Sequence, residues 1–75
     1  MAVVAITSGT GSGTTGALAS DQVSYVASGK VLFSTDGGVT YIPFDAGDKV
    51  VFSSGLTVDY LNGHSHSSEF RHMAL

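Results

Sequence analysis

Residues 30–44 read KVLFSTDGGVTYIPF, and this stretch decides which class of fold the chain can form. Two runs rich in β-branched and aromatic residues, 30–35 and 39–44, flank an Asp-Gly-Gly segment at residues 36–38 that suits the positive φ angles of a tight turn. The stretch therefore predicts a β-hairpin. Pro43 has no N–H to donate to a ladder, so we expect the second run at a strand end or on a sheet edge.

Similar short runs recur on both sides of this hairpin, separated by small-residue turns at spacings near ten residues. Alternation of apolar and polar side chains is clearest around Val58, as expected for a half-buried strand. Further strands are predicted at residues 2–7, 22–28, 49–53, 56–60 and 69–75. The sequence therefore predicts an all-β fold, a small antiparallel β-sandwich or barrel with an extended N-terminal arm.

The composition excludes several classes of protein. Ten glycines and a charged fraction of 12% oppose a helical bundle, and a mean hydropathy of +0.27 opposes disorder. Only three Lys and Arg side chains stand in a chain of formal charge −3, so we expect no nucleic-acid partner. No cysteine is available for a disulfide framework. No apolar run reaches the length of a membrane span or a leader, so we expect a soluble chain with no membrane partner.

The first sixteen residues are predicted to form a unit separate from the rest. Residues 7–16 are all Gly, Ser or Thr, a composition typical of a flexible tether. We therefore divide the chain into an N-terminal strand with its tether, residues 1–16, and a small antiparallel β domain, residues 17–75. Val3, Val4 and Ile6 are too apolar to remain in water, so they are predicted to form an arm that binds a neighbouring subunit.

The sequence gives little indication of an enzyme or of cofactor binding. Residues 11–16 match G-x-G-x-x-G and Asp36 follows at a suitable distance, but residues 22–28 alternate like a strand where a dinucleotide fold needs a helix. The acidic residues are scattered over turns and strands, and no G-x-S-x-G nucleophile elbow occurs. We therefore predict no enzymatic activity, no catalytic residues and no cofactor-binding residues.

Histidines form the one concentration of potential metal ligands. His64 and His66 are two residues apart, so in an extended segment both imidazoles point to the same side and could hold a transition-metal ion. His72 or Glu69 could add a ligand within the chain, and a threefold axis could add ligands from other chains. The alternative is a polar Ser/His loop without metal.

Seven aromatic side chains are spread at roughly one per predicted strand, which favours a role in the core over a platform for sugars or bases. They are Tyr25, Phe33, Tyr41, Phe44, Phe52, Tyr60 and Phe70.

Residues 33–41, FSTDGGVTY, resemble the S-x-D-G-G-x-T-[WY] hairpin of many bacterial surface and phage-encoded β-sandwich modules. The whole chain, short, free of cysteine and rich in Gly, Ser and Thr, resembles the small auxiliary structural proteins of tailed-phage virions, such as capsid decoration or cement proteins and small tail or fibre components. The resemblance implies a non-enzymatic protein that strengthens the virion, is assembled in the host cytoplasm, and binds copies of itself or a major capsid or tail protein.

His64-Ser65-His66 is also similar to the H-x-H element at the iron-bearing tip of trimeric phage tail spikes, although the repeat-rich stem of those spikes is missing here. A trimeric metal-stabilised tip protein and a small receptor- or carbohydrate-binding β module are therefore the alternative functions.

Overall fold

The computed structural model describes residues 2–9, 11–63 and 66–75, and this part of the chain contains eight β-strands and no helix. All strand pairs are antiparallel, so the predicted all-β fold is confirmed. In chain order the strands are β1 (Ala2–Ile6), β2 (Ser12–Ala17), β3 (Gln22–Ser28), β4 (Lys30–Ser34), β5 (Ile42–Asp45), β6 (Lys49–Phe52), β7 (Thr57–Asn62) and β8 (Ser68–Ala74).

The strands form two four-stranded sheets. Sheet A has the order β1-β8-β3-β6, and sheet B has the order β2-β7-β4-β5. The chain passes between the sheets after β1, β2, β3, β5, β6 and β7, which ties each sheet to the other at many points. Pro43 lies in β5 at the edge of sheet B, as its missing N–H predicts.

The core lies between the two sheets and is built around aromatic rings. The Phe33 ring of sheet B lies 5.0 Å from Phe70, 5.5 Å from Phe52 and 5.4 Å from Phe44, measured between centroids. The buried apolar side chains are Ile6, Leu18, Val26, Val31, Phe33, Phe52, Val58 and Phe70. Strands from both sheets contribute, because successive side chains of a strand point to opposite faces.

The predicted hairpin is present, but its loop is longer and its second strand is shorter than expected. β4 pairs with β5 from Lys30 opposite Asp45 to Phe33 opposite Ile42. Residues 35–41 form the loop, so the second strand begins at Ile42 and not at residue 39. Side chains take the place of the ladder here, because Asp36 Oδ1 accepts hydrogen bonds from the N–H groups of residues 39 and 40.

The N-terminal segment is part of the domain, which corrects the prediction of a separate arm. β1 pairs with β8 of its own chain over five residues, and Ile6 is only 3% exposed. Through this pairing the apolar strand makes backbone hydrogen bonds along one of its two edges and turns alternate side chains towards the core. The predicted boundary between residues 16 and 17 falls inside β2, so the division into 1–16 and 17–75 is not the one the fold has.

Residues 7–16 were predicted as a flexible tether, and that prediction is wrong for residues 12–16, which form a strand together with Ala17. This strand is β2, which pairs with β7 with Gly13 opposite Tyr60. The Tyr60 side chain covers Gly13 so closely that a Cβ there would lie 2.6 Å from the phenolic oxygen and 2.7 and 2.8 Å from two ring carbons. The small residue is needed for packing beneath an aromatic ring and does not indicate flexibility.

Candidate functional site: the outer face of sheet A

Sheet A turns one face to the core and the other away from the protein. We call the second the outer face of sheet A. Strand register brings its side chains into two rows that cross the strands. One row runs Val3, Arg71, Tyr25, Lys49, and the other runs Met73, Val23, Val51.

The outer face is partly apolar because two of its strands, β3 and β8, carry apolar side chains that point to both faces of the sheet. In β3, Ser24 and Val26 are buried, while Val23 and Tyr25 point the other way and stay half-buried. In β8, the buried Phe70 alternates with side chains of the outer face. The exposed face of an antiparallel sheet is usually polar, so apolar residues on both faces are informative.

Three apolar side chains on this face remain accessible to solvent. Val3 is 55% exposed, Val51 is 60% exposed and Met73 is 39% exposed. The same face holds a shallow depression of about 490 Å³ lined by Val23, Tyr25, Lys49, Arg71 and Met73. Val3 and Val51 are the register partners of two of these lining residues, Arg71 and Val23. An apolar patch with a few charged groups is a typical feature of a protein-binding surface.

Arg71 is the charged group nearest the centre of the face. Its Nη2 lies 3.4 Å from Glu69 Oε1, and its guanidinium lies 6.0 Å from the centroid of the Tyr25 ring. The Nε atom is buried and has no hydrogen-bond partner among the described residues. A buried donor without an acceptor costs free energy, so an acceptor from a bound molecule would be favourable here.

The Asp36 loop holds a carboxylate whose role is structural. Ser34 Oγ, which is buried, donates to Asp36 Oδ1 at 2.6 Å and accepts from the N–H of Gly38 at 3.0 Å. The Ser34 hydroxyl and the N–H of Thr40 lower the pKa of Asp36 below its ordinary value. The hydrogen bonds that the described residues give this carboxylate come from the last residue of β4 and from the loop itself, so they fix the shape of the loop.

The predicted metal site is only partly visible. His64 lies outside the described residues, and the His66 side chain is exposed while its carbonyl accepts a hydrogen bond from Asn62 Nδ2 at 2.6 Å. His72 Nδ1 lies 3.2 Å from Gln22 Oε1, and His72 and Glu69 point to opposite faces of β8. Among the described residues, no group of three potential ligands is brought together. Metal binding by His64 and His66 therefore stays a prediction.

The three residues predicted for a partner-binding arm have different positions. Ile6 is buried in the core, Val4 packs against the core, and Val3 points to the outer face of sheet A. Only Val3 is available to a partner in this conformation. Of the other members of the face, Tyr25 was named from the sequence, but as a core residue. The apolar residues that would point to both sides of a strand at residues 22–28 were a usable signal for this face.

The prediction that the aromatic side chains form the core is right for five of the seven and wrong for two. Tyr60 packs against Phe70 at 4.9 Å, and the phenylalanines pack together as described above. Tyr25 instead lies on the outer face, in the depression beside Arg71. Tyr41 belongs to the loop between β4 and β5, where its hydroxyl lies close to Gly38.

No protein-family model and no curated protein matches the chain. Within the residues that the structure describes, there is no helix long and apolar enough to cross a membrane.

Proposed function

We propose that this protein is a non-enzymatic structural subunit that binds neighbouring subunits, including copies of itself, through the outer face of sheet A. The observation that carries the proposal is the exposure of Val3, Val51 and Met73 on one face whose reverse side forms the core. The resemblance to auxiliary virion proteins suggests a decoration or cement protein of a phage capsid or tail as the particular role.

The size of the face is compatible with such a role. An ordinary protein interface covers roughly 800 Å² on each partner. The chain exposes 4143 Å² in total, so one interface would cover about a fifth of it. Many weak contacts of this kind add up on a lattice, because each bound neighbour raises the effective concentration of the next.

Arg71 indicates the chemistry of the partner surface. Its buried Nε has no acceptor within the part of the chain that the structure describes, and Lys49 adds a second positive charge two strands away in the same row. A carboxylate from the neighbour would satisfy both the hydrogen bond and the charge. The chain itself carries six acidic side chains and a formal charge of −3, so a neighbouring copy could supply such a group.

Ligand binding on the same face is the second candidate function. Tyr25 lines the depression beside Arg71 and Lys49, an arrangement that suits an acidic sugar stacked on the ring. NMR titration with N-acetylneuraminic acid, using Tyr25→Ala and the loop variant Tyr41→Ala, separates this role from assembly. Saturable binding lost only in Tyr25→Ala supports the second candidate, and absence of saturation contradicts it.

The test of the assembly role is the native mass across a concentration series from micromolar to millimolar. The double variant Val51→Thr/Met73→Gln removes apolar surface from the outer face with little change in shape. Its control, Val39→Thr/Ile42→Thr, does the same at residues that are 84% and 59% exposed outside sheet A. We expect the wild type and the control to self-associate and the outer-face variant to lose mass. A wild type that remains monomeric, or an outer-face variant that associates fully, would contradict the proposal.

A further inference from the structure

β1 is the least protected of the four sheet edges that the described residues form. β5 contains Pro43, β6 begins with Lys49, and β2 has a register shift between Thr14 and Ala17. Such features discourage pairing with another chain. β1 reads AVVAI, without charge, proline or glycine, and pairs with β8 over five residues without any shift. Its outer side has no strand partner among the described residues.

We infer that β1 pairs antiparallel with β1 of a second copy of this chain, which joins the two A sheets into one eight-stranded sheet. This inference rests on the proposed self-association and adds a second contact to it. The β1 edges join two copies into a dimer, and the outer faces of sheet A carry the further association of these dimers. Sheet extension supplies ladder hydrogen bonds to backbone groups that are otherwise solvated, and those bonds do not require a particular side-chain sequence.

Symmetry restricts the register of this pairing. Two antiparallel edge strands in one sheet are related by a twofold axis perpendicular to the sheet. Residues that lie opposite each other in an antiparallel pair point to the same face of the sheet. The axis therefore cannot fall between two successive residues, which point to opposite faces, so one residue of β1 lies on the axis opposite its own copy. The longest overlap of five residues puts Val4 on the axis and Val3 opposite Ala5 of the partner subunit. Both outer faces then lie on the same side of the joined sheet.

The charges on β8 favour this register over its neighbours. Within one chain, Val3 lies beside Arg71 and Ala5 lies beside Glu69. With Val4 on the axis, Val3 lies opposite Ala5 of the partner subunit. The cross-strand row that contains Arg71 in one copy therefore continues into the row that contains Glu69 in the other. An axis through Val3 or Ala5 would instead align arginine with arginine or glutamate with glutamate. Three strand spacings, about 14 Å, separate the aligned charges, so they select register and add little affinity.

A pair of matched charge substitutions tests whether the contact is the edge or the face. Val3 on β1 and Val51 on β6 are 55% and 60% exposed, and both belong to the outer face on opposite edges of sheet A. Val3→Lys puts a charge on the β1 edge, and we expect it to raise the dimer Kd by about tenfold or more. Val51→Lys should leave the dimer intact and affect only further association. Sedimentation equilibrium measures both, and circular dichroism confirms that both variants are folded.

Cysteine cross-linking tests the register, since the natural chain has no cysteine. A mixture of Val3→Cys and Ala5→Cys chains should form disulfide-linked dimers faster than either chain alone, and Val51→Cys should form them slowest. The edge pairing would be overturned if Val51→Cys formed disulfide-linked dimers as fast as the mixture, or if Val3→Lys left the dimer unaffected. If the wild type still self-associates when the edge pairing is overturned, the proposed function stands. A wild type that does not self-associate contradicts both the edge pairing and the proposed function.

Discussion

Phe33 of β4 and Phe70 of β8 meet edge to face between the two sheets, with ring centroids 5.0 Å apart and ring planes at 85°. Each ring belongs to a different sheet, so this contact joins the layer that carries the candidate binding face to the layer that supports it. Phe70 also contacts Tyr60 at 4.9 Å. Phe70 therefore links sheet A to two strands of sheet B.

Phe70→Leu should lower the free energy of unfolding by about 1 to 3 kcal/mol, because it removes aromatic contacts on several sides of a fully buried site. Phe44→Leu is the matched control, since Phe44 is only partly buried and its ring packs against Phe33 at 5.4 Å. Urea unfolding followed by circular dichroism gives both values. A larger loss for Phe44→Leu would mean that the junction between the sheets is not centred on Phe70.

Ser34→Ala should destabilise the loop between β4 and β5. The hydroxyl is buried, and it both accepts from the N–H of Gly38 and donates to Asp36. Its removal leaves a loop N–H without this acceptor, so we expect a loss of about 1 to 3 kcal/mol in the free energy of unfolding. Ser53→Ala, at an exposed serine, is the control and should change stability by less than about 0.5 kcal/mol. Equal effects would contradict the structural role of the Ser34 hydroxyl.

Asp36 should make the protein more sensitive to acid. The Ser34 hydroxyl and loop N–H groups hold the folded-state pKa of Asp36 below 3.8, its ordinary value. The unfolded chain therefore binds a proton first, and the stabilisation that is present above that value is lost as the pH falls through the lower folded-state pKa. Asp36→Asn should flatten the fall in melting temperature in this acidic window. In a Ser34→Ala background the same substitution should flatten it less, and an equal effect in both backgrounds would count against the Ser34 hydrogen bond as the main cause.

Gly29→Ala should cost more than Gly47→Ala, although both glycines have a positive φ. A Cβ at Gly29 would lie 2.6 Å from the Cβ of Ser68, which is 1% exposed, whereas a Cβ at Gly47 would meet nothing within 4 Å. Backbone strain alone should cost about 1 to 2 kcal/mol in each variant. The clash should add roughly 1 to 3 kcal/mol at Gly29. Thermal melts compare the two, and equal losses would show that Ser68 moves away without cost.

The sequence predicts the strands well where apolar and polar residues alternate or where turn residues mark both ends. β3 has the predicted bounds, and β1, β6, β7 and β8 differ from the predicted ranges by one or two residues. β2 was missed because it packs through Gly13 under the Tyr60 ring of β7, and such a strand shows no apolar pattern of its own. The loop after β4 was misjudged because side-chain hydrogen bonds from Ser34 and Asp36 hold residues that otherwise favour a strand.

The candidate site was predictable only in part. Val3 was singled out as a partner-binding residue and lies on the outer face of sheet A, but Ile6 from the same segment is buried. Arg71 and Met73 acquire their place from the pairing of β8 between β1 and β3, which joins residues about fifty to seventy positions apart in the chain. Local patterns carry no information about which strands become neighbours, so the two rows of this face could not be read before the topology was known.

Radical footprinting of the side chains most directly tests the claim that the outer face of sheet A binds neighbouring subunits. Met73 and Tyr25 lie on this face, and Tyr41 in the loop after β4 serves as an internal reference. Labelling is compared by mass spectrometry between the dilute protein and the assembled protein at high concentration. The account predicts that labelling of Met73 and Tyr25 falls severalfold on assembly while labelling of Tyr41 does not change. Assembly that leaves Met73 and Tyr25 labelled as in the dilute protein, or that protects Tyr41 instead, would contradict it.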